Sequence, residues 1–352
     1  SANKNLIIDG ILPHITDIAS PAADGTYIIG DLIPIVVTFD DLVSVTGTPI
    51  LLLETGIQDA EAYYASGSGQ TTLTFNYIVG EGEIASDLDY TSYSALTDSA
   101  GAIVDENGNN ADLNLPVPGT SFSLSTSSAI VIDGIVPEIN MVTSSAPNGT
   151  YKMGDVIPIS ATFSEVVNVT GDPQLLLETG VNDAIAYYSG GTGTTVLSFS
   201  YTVAAGDTSP DLSYVNSQSL LLNGGTIMDT VGNNSNLTLI HPGIGNSLSA
   251  IKNLVVDGIA PSVEIVSAIS ADSSYGAGEL LELTISFHEP VYVNGAGPQL
   301  VLATGSAAEA VANYNGGGTG NRTLVMHYTV LMGDNSSDLD YSGTDALSFN
   351  NT

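Results

Sequence analysis

The chain has 352 residues, enough for two or three domains, and 43% of them are hydrophobic, as in a folded globular protein and unlike a disordered acidic tail. Four basic residues (Lys4, Lys152, Lys252 and Arg322) face 38 acidic ones, for a net charge of −34. This leaves nothing to neutralise phosphates, argues against nucleic acid and anionic membrane surfaces as partners, and favours cations. There is no Cys, so disulfides and thiolate metal sites are excluded. No apolar run reaches the roughly 18 residues of a membrane helix. No signal peptide opens the sequence; it starts inside a repeat, so any leader would lie outside this stretch.

In chain order, residues 1–9 read as the last strand of a preceding repeat: "SANKNLIID" matches "SAIKNLVVD" at 249–257. Three repeats follow, at 10–133, 134–257 and 258–352, the third incomplete. "NLIIDGILPHI" (5–15) recurs as "AIVIDGIVPEI" (129–139) and "NLVVDGIAPSV" (253–263). Asp9, Asp133 and Asp257 stand 124 apart (133 − 9 and 257 − 133), as do Pro13, Pro137 and Pro261. A period of this length suits one domain rather than a solenoid turn. In the second copy, strands are expected near 138–146, 156–164, 174–179, 184–189, 195–204 and 213–222, with a last one ending at Asp257. "IPISATF" and "TVLSFSYTV" alternate apolar and polar residues, as half-buried strands do. "SGSG", "SGGTG" and "NGGGTG" sit between strand signals and read as hairpin turns, not phosphate loops, since they lack a following helix and the lysine of a P-loop. No stretch keeps a helical period. The predicted fold class is all-β, a tandem array of β-sandwiches.

The combination of "DGIAP", "TFSEVVNVTGDPQLLLETG", "GDTSPDLSY" and "DTVGNN" resembles the bacterial Ig-like or cadherin-like repeats of giant extracellular adhesins and surface fibres. The likeness covers the whole chain. It implies elongated, secreted, calcium-stiffened spacer domains at the cell surface, with further repeats of the same chain as neighbours.

The acids support a calcium reading of their own. In an up-and-down sandwich, alternate loops meet at opposite poles, so each linker gathers acids from several sides. At the first junction these are Asp87 and Asp89 from above, Asp133 in the linker, and Glu165, Asp229 and Asn233 from below. At the second they are Asp207, Asp211, Asp257 and Glu289. An incoming partial site uses Asp9, Asp41, Asp105, Asn107 and Asn109, and Asp334, Asp338 and Asp340 face a following domain. Two carboxylates at 4 Å repel by about 4 kcal/mol at an effective dielectric of 20, and a hard cation taking six to eight oxygens relieves this. Calcium suits flexible loops better than magnesium, and zinc lacks its usual Cys or clustered His. The same Asp-Gly and Asp-x-x-Gly-Asn sequences also read as turns, in which Asp caps the backbone. Asp89 becomes Ser213 in the second copy, so the sites are not identical.

Catalysis is not expected. Paired acids recur once per repeat, and His14, His241, His288 and His327 do not correspond between copies, so no Ser–His–Asp set can be named. Tyr63–Tyr64 and Tyr187–Tyr188 alternate faces of a strand, one in the core and one outside. The alternatives to a spacer are repeats that bind a ligand or glycan through exposed Tyr and loop residues, and a filament subunit in which the first segment of one chain completes the last domain of another copy.

Overall fold

The computed structural model describes residues 8–305 and 310–349. Two compact units divide the chain, Ser1–Gly258 and Ile259–Thr352. Among the described residues both are all-β, built from curled, largely antiparallel sheets, with two four-residue helices in the first unit, Leu124–Ser127 and Leu248–Ile251.

The first unit holds two copies of one topology, each around its own hydrophobic core. In the first copy the main sheet runs Ile15–Ala19, Leu32–Thr46, Gln70–Ile78, Ala60–Ser66, Ile50–Glu54, Asp89–Tyr90. The second copy repeats this order with Ile139–Thr143, Val156–Thr170, Thr194–Thr202, Ala184–Gly190, Gln174–Glu178 and Ser213–Tyr214. The segment expected as one strand at 213–222 is two short pieces, Ser213–Tyr214 and Leu220–Leu221, both paired with Gln174–Glu178.

Sequence alternation fixes which side chains enter the core. Along Leu32–Thr46, Ile33, Ile35, Val37 and Phe39 point inward in step with the pleat. The ladder then slips between Thr38 and Val43, and beyond the slip the strand continues as the partner of Ala102–Val104. The second copy slips between Thr162 and Val167, and the second unit between Ser286 and Val291. Such a bulge re-aims the residues on it. Asp41, Glu165 and Glu289 occupy the same place on these three bulges.

A small second sheet closes each core in the first unit. Ile130–Asp133 lies parallel to Gly25–Ile28 and antiparallel to Ile84–Ala85; Leu254–Asp257 does the same with Gly149–Lys152 and Thr208–Ser209. An up-and-down reading has no parallel pair. The pair arises because the last strand of each repeat returns beside the second. Ile130 and Ile132, and likewise Leu254 and Val256, face the core. These two segments, here called linker strands, run directly into Gly134 and Gly258.

Among the described residues of the second unit there is the main sheet alone: Val263–Ala268, Leu280–Val291, Asn321–Thr329, Ala310–Gly317, Pro298–Leu302 and Leu347–Phe349, over a separate core. The glycine clusters form the expected hairpin turns. Gly67 and Gly191 have φ of 113° and 110°, and a Cβ on either would strike a facing carbonyl oxygen at 2.1 Å. Tyr64 and Tyr188 turn inward against Phe75 and Phe199, while Tyr63 and Tyr187 stay exposed.

Candidate inter-repeat junction

The first linker is fastened by backbone before any side chain acts. The Gly134 amide donates to the Glu83 carbonyl at 2.7 Å, and the Gly134 carbonyl accepts from the Gly82 amide at 2.7 Å. A Cβ on Gly134 would lie 2.3 Å from the Gly80 oxygen and 2.8 Å from the Glu83 oxygen. The glycine of the repeated Asp-Gly is therefore required by close approach of two backbones. Gly258 repeats the arrangement, bonding to the Asp207 carbonyl at 2.7 Å and the Gly206 amide at 2.9 Å.

The turn that receives the linker is braced by an acid six residues after a core tyrosine. Glu83 accepts from the Tyr77 hydroxyl and the Gly80 amide, each at 2.6 Å. Asp207 accepts from Tyr201 at 2.7 Å and from the Ala204 amide at 2.8 Å. In the second unit Asp334 accepts from Tyr328, from the Leu331 amide at 2.7 Å and from Thr304 at 3.3 Å. Burial, and then the acid, push the Tyr77 and Tyr201 phenols far up, and Tyr328 up to about 12. Glu83 was missed from sequence, although the Tyr-x5-acid spacing recurs in all three copies.

From below, the loop Asp229–Asn233 reaches the same linker. Asp229 is buried, and its Oδ1 accepts from the amides of Val231 (2.9 Å), Gly232 (2.6 Å) and Asn233 (2.9 Å). Asn233 is also buried. Its Nδ2 donates to Asp229 Oδ2 and to the Asp133 carbonyl, both at 2.8 Å, and its Oδ1 accepts from the Ile29 amide at 3.1 Å. Ile29 belongs to the first copy and Asn233 to the second, so one amide side chain joins both repeats and the linker between them.

The corresponding loop of the first copy is built alike. Asp105 accepts from the Asn107 and Asn109 amides at 2.8 Å and from Asn109 Nδ2 at 2.6 Å. These bonds outweigh desolvation and hold its carboxyl below the usual range. Asn107 Nδ2 donates to Asp9 Oδ2 at 2.8 Å, Asn109 Nδ2 to the Asp9 carbonyl at 3.4 Å, and Asp9 Oδ1 caps Ile11 at 3.1 Å. Both loops are thus turns capped by their own aspartate, the second of the two roles open from sequence.

Glu165 is different. Its Oε1 is shielded from solvent and has no hydrogen-bond partner. Desolvation, then the charges of Asp229 and Asp133, raise its carboxyl above the ordinary range. Its counterparts diverge: Asp41 is exposed and caps the Leu42 amide at 2.7 Å, while Glu289 Oε1 is shielded beside His288 Nε2 at 3.6 Å.

Three acids expected at the linkers lie elsewhere. The Leu88 amide donates to the Ile130 carbonyl and that of Leu212 to Leu254, at the starts of the linker strands. Asp87 and Asp211 sit beside those starts, and Asp133 and Asp257 lie three residues along, about 10 Å away at strand rise. Asp87 is exposed, and Asp211 accepts from the Leu254 amide at 3.3 Å. Asp89 is buried inside its repeat, accepting from the Gly119 amide at 3.0 Å and the Ser125 hydroxyl at 2.7 Å. The loop was expected to run up to the pole, but the linker strand pairs alongside it and carries Asp133 past these residues. In the second unit Asp338 and Asp340 are exposed, and Asp340 caps the Tyr341 amide at 2.8 Å.

Among the described residues, no group of three or more His, Asp or Glu side chains is arranged to hold a metal ion. Calcium asks for six to eight oxygens. At the first junction Asp229 and Asn233 already spend their oxygens on hydrogen bonds, and Asp133 Oδ1 accepts from the Ile135 amide at 3.2 Å. A cation here would find Glu165 and Asp133 as its protein donors and would need water for the rest of its shell, rather than a cage of protein oxygens. No protein-family model and no curated protein matches this sequence.

Proposed function

We propose that this chain is a run of Ig-like, cadherin-like repeats acting as a structural spacer in an extracellular adhesin, appendage or fibre, without catalytic chemistry. The observation that carries this reading is Asn233, which bonds at once to the first repeat, the linker and its own loop. A spacer must resist bending at its joints, and here a joint is stitched by backbone and by one buried amide. The acidic surface keeps such an array soluble and apart from nucleic acid.

Calcium is the second contribution to stiffness. Glu165 carries a shielded oxygen without a partner, in the field of Asp133 and Asp229. In this reading Glu165 and Asp133 hold a hydrated calcium that cancels the repulsion. The test is thermal unfolding of the chain with calcium and with chelator. Calcium at one hundred times its Kd adds about 2.7 kcal/mol, and Glu165→Gln removes the increment. An equal melting temperature in both buffers rejects calcium and leaves the hydrogen-bonded joint as the source of stiffness.

A further inference from the structure

On the outer face of the first repeat's main sheet, Tyr63 is 54% exposed in the middle of Ala60–Ser66. Strand alternation turns it away from the core, while Tyr64 packs inward. The Tyr63 hydroxyl donates to Glu61 Oε2 at 2.5 Å, two residues back on the same face. Residues two apart on a strand stand about 6.5 Å from each other. The phenol therefore reaches this carboxylate with its ring laid along the strand, one side toward solvent. Asn76 stands directly across on Gln70–Ile78, and Ile50 directly across on Ile50–Glu54. Among the described residues, neither Glu61 Oε1 nor the Asn76 side chain makes a hydrogen bond. An exposed aromatic ring is thus fixed between an acceptor and an amide that are both unspent.

The other copies keep parts of this arrangement. In the second repeat Tyr187 holds the same place and is 58% exposed, but Ile185 replaces Glu61 and Ser200 replaces Asn76. In the second unit Asn313 stands where the tyrosine would be, and its Oδ1 accepts from Gln299 Nε2 at 2.8 Å. Its cross-strand neighbour His327 is engaged by Glu282 at 2.9 Å. Ring, carboxylate and amide come together in the first repeat.

We propose that this face of the first repeat is a shallow binding site for a neutral polysaccharide, with Tyr63 as the stacking surface and Glu61 and Asn76 as partners for sugar hydroxyls. The C–H face of a sugar ring packs on an aromatic ring, which has apolar area to bury and a polar edge. Each sugar hydroxyl both donates and accepts; Glu61 Oε1 accepts, and Asn76 offers a donor and an acceptor. An open, flat face suits a run of sugars in a long polymer, whereas a small ligand needs an enclosing pocket. The net charge of −34 repels uronate-bearing or sulfated polymers. A cationic peptide is the other occupant that an acidic chain attracts in general. Here the single carboxylate already shares one oxygen with the phenol, and its neighbours are a neutral amide and the aliphatic Ile50, a set that suits hydroxyls better than ammonium groups. Such a site would let a spacer also hold on to a surface. It rests neither on calcium nor on the stiffness of the joint.

The test is affinity electrophoresis of the full chain through gels containing a soluble neutral glucan, galactan or mannan, with alginate as the anionic polymer. At least one neutral polymer retards the chain, and alginate does not. Tyr63→Ala weakens the retardation at least about tenfold, through lost stacking and lost apolar area. Asn76→Ala weakens it about three- to tenfold, the worth of one hydrogen bond. Tyr187→Ala, at the equivalent place in the second repeat, leaves it unchanged. Thermal melts followed by circular dichroism, unaltered in all three variants, show that the effect is on binding and not on folding. Absence of retardation by all three neutral polymers overturns the proposal, as does retardation that survives Tyr63→Ala. Equal retardation by alginate overturns the neutral assignment. A fluorescent oligolysine peptide that binds the wild type and not Tyr63→Ala, where no neutral polymer binds, makes the occupant cationic and overturns the carbohydrate.

Discussion

Replacing Gly134 with alanine puts a methyl carbon 2.3 Å from the Gly80 carbonyl oxygen and 2.8 Å from that of Glu83. No rotamer relieves this, because both neighbours are backbone. Overpacking of this kind costs about 1–3 kcal/mol. If the linker moves away, the two bonds of Gly134 to Glu83 and Gly82 are lost, at about 1 kcal/mol each. Either way the expected penalty is about 1–3 kcal/mol, or a fall in melting temperature of roughly 2–12 °C for a unit of this size. Gly258→Ala meets the Ala204 oxygen at 2.2 Å and behaves alike. Gly10, at the same place in the repeat, has nothing within 4 Å of its Cβ. Gly10→Ala should be neutral or slightly stabilising, through the reduced entropy of the unfolded chain. Calorimetry of the three variants beside the wild type decides the matter. Equal effects of Gly10→Ala and Gly134→Ala would refute the claim that close approach explains the repeated Asp-Gly.

Further outcomes follow from the junction. Asn233→Ala leaves Asp229, the Asp133 carbonyl and the Ile29 amide each short of a partner, and should cost about 2–3 kcal/mol in chemical denaturation; Asn109→Ala, whose bond to the Asp9 carbonyl is longer at 3.4 Å, costs less. In chelator, Glu165→Gln should stabilise the chain at neutral pH. A raised carboxyl keeps its full contribution below the unfolded value of about 4.3 and loses it as pH rises through the folded value. The wild type should thus approach the variant's stability on acidification, and a constant difference across that window would count against the burial of Glu165. Spectrophotometric titration should find Tyr214 ionising only near pH 12, since burial raises it above the ordinary phenol value of about 10.

Much of the fold can be read from period and alternation. The 124-residue repeat, the inward Ile33–Ile35–Val37–Phe39 series and the glycine hairpins all depend on local pattern. What escaped was pairing at a distance. Nothing in Ile130–Asp133 states that it lies parallel to Gly25–Ile28, and that pairing moves Asp87 and Asp211 away from the linkers. Asp89 looked like a surface acid because its partners, Gly119 and Ser125, are some thirty residues on. Asp105 and Asp229 were legible as acids in Asp-x-x-Gly-Asn, but a sequence cannot say whether their oxygens face a cation or their own turn. Asn233 could be placed at the junction, yet its bond to Ile29, 204 residues away, has no local signature.

The most direct test of a hydrogen-bonded, stiff joint uses the absence of native cysteine. Spin labels at Tyr63→Cys and Tyr187→Cys, exposed and equivalent positions in the first two repeats, report the distance between them by pulsed electron resonance. In chelator the account predicts one narrow distance distribution, broadened by Asn233→Ala or Gly134→Ala. A broad distribution in the otherwise unaltered chain under the same conditions would contradict it.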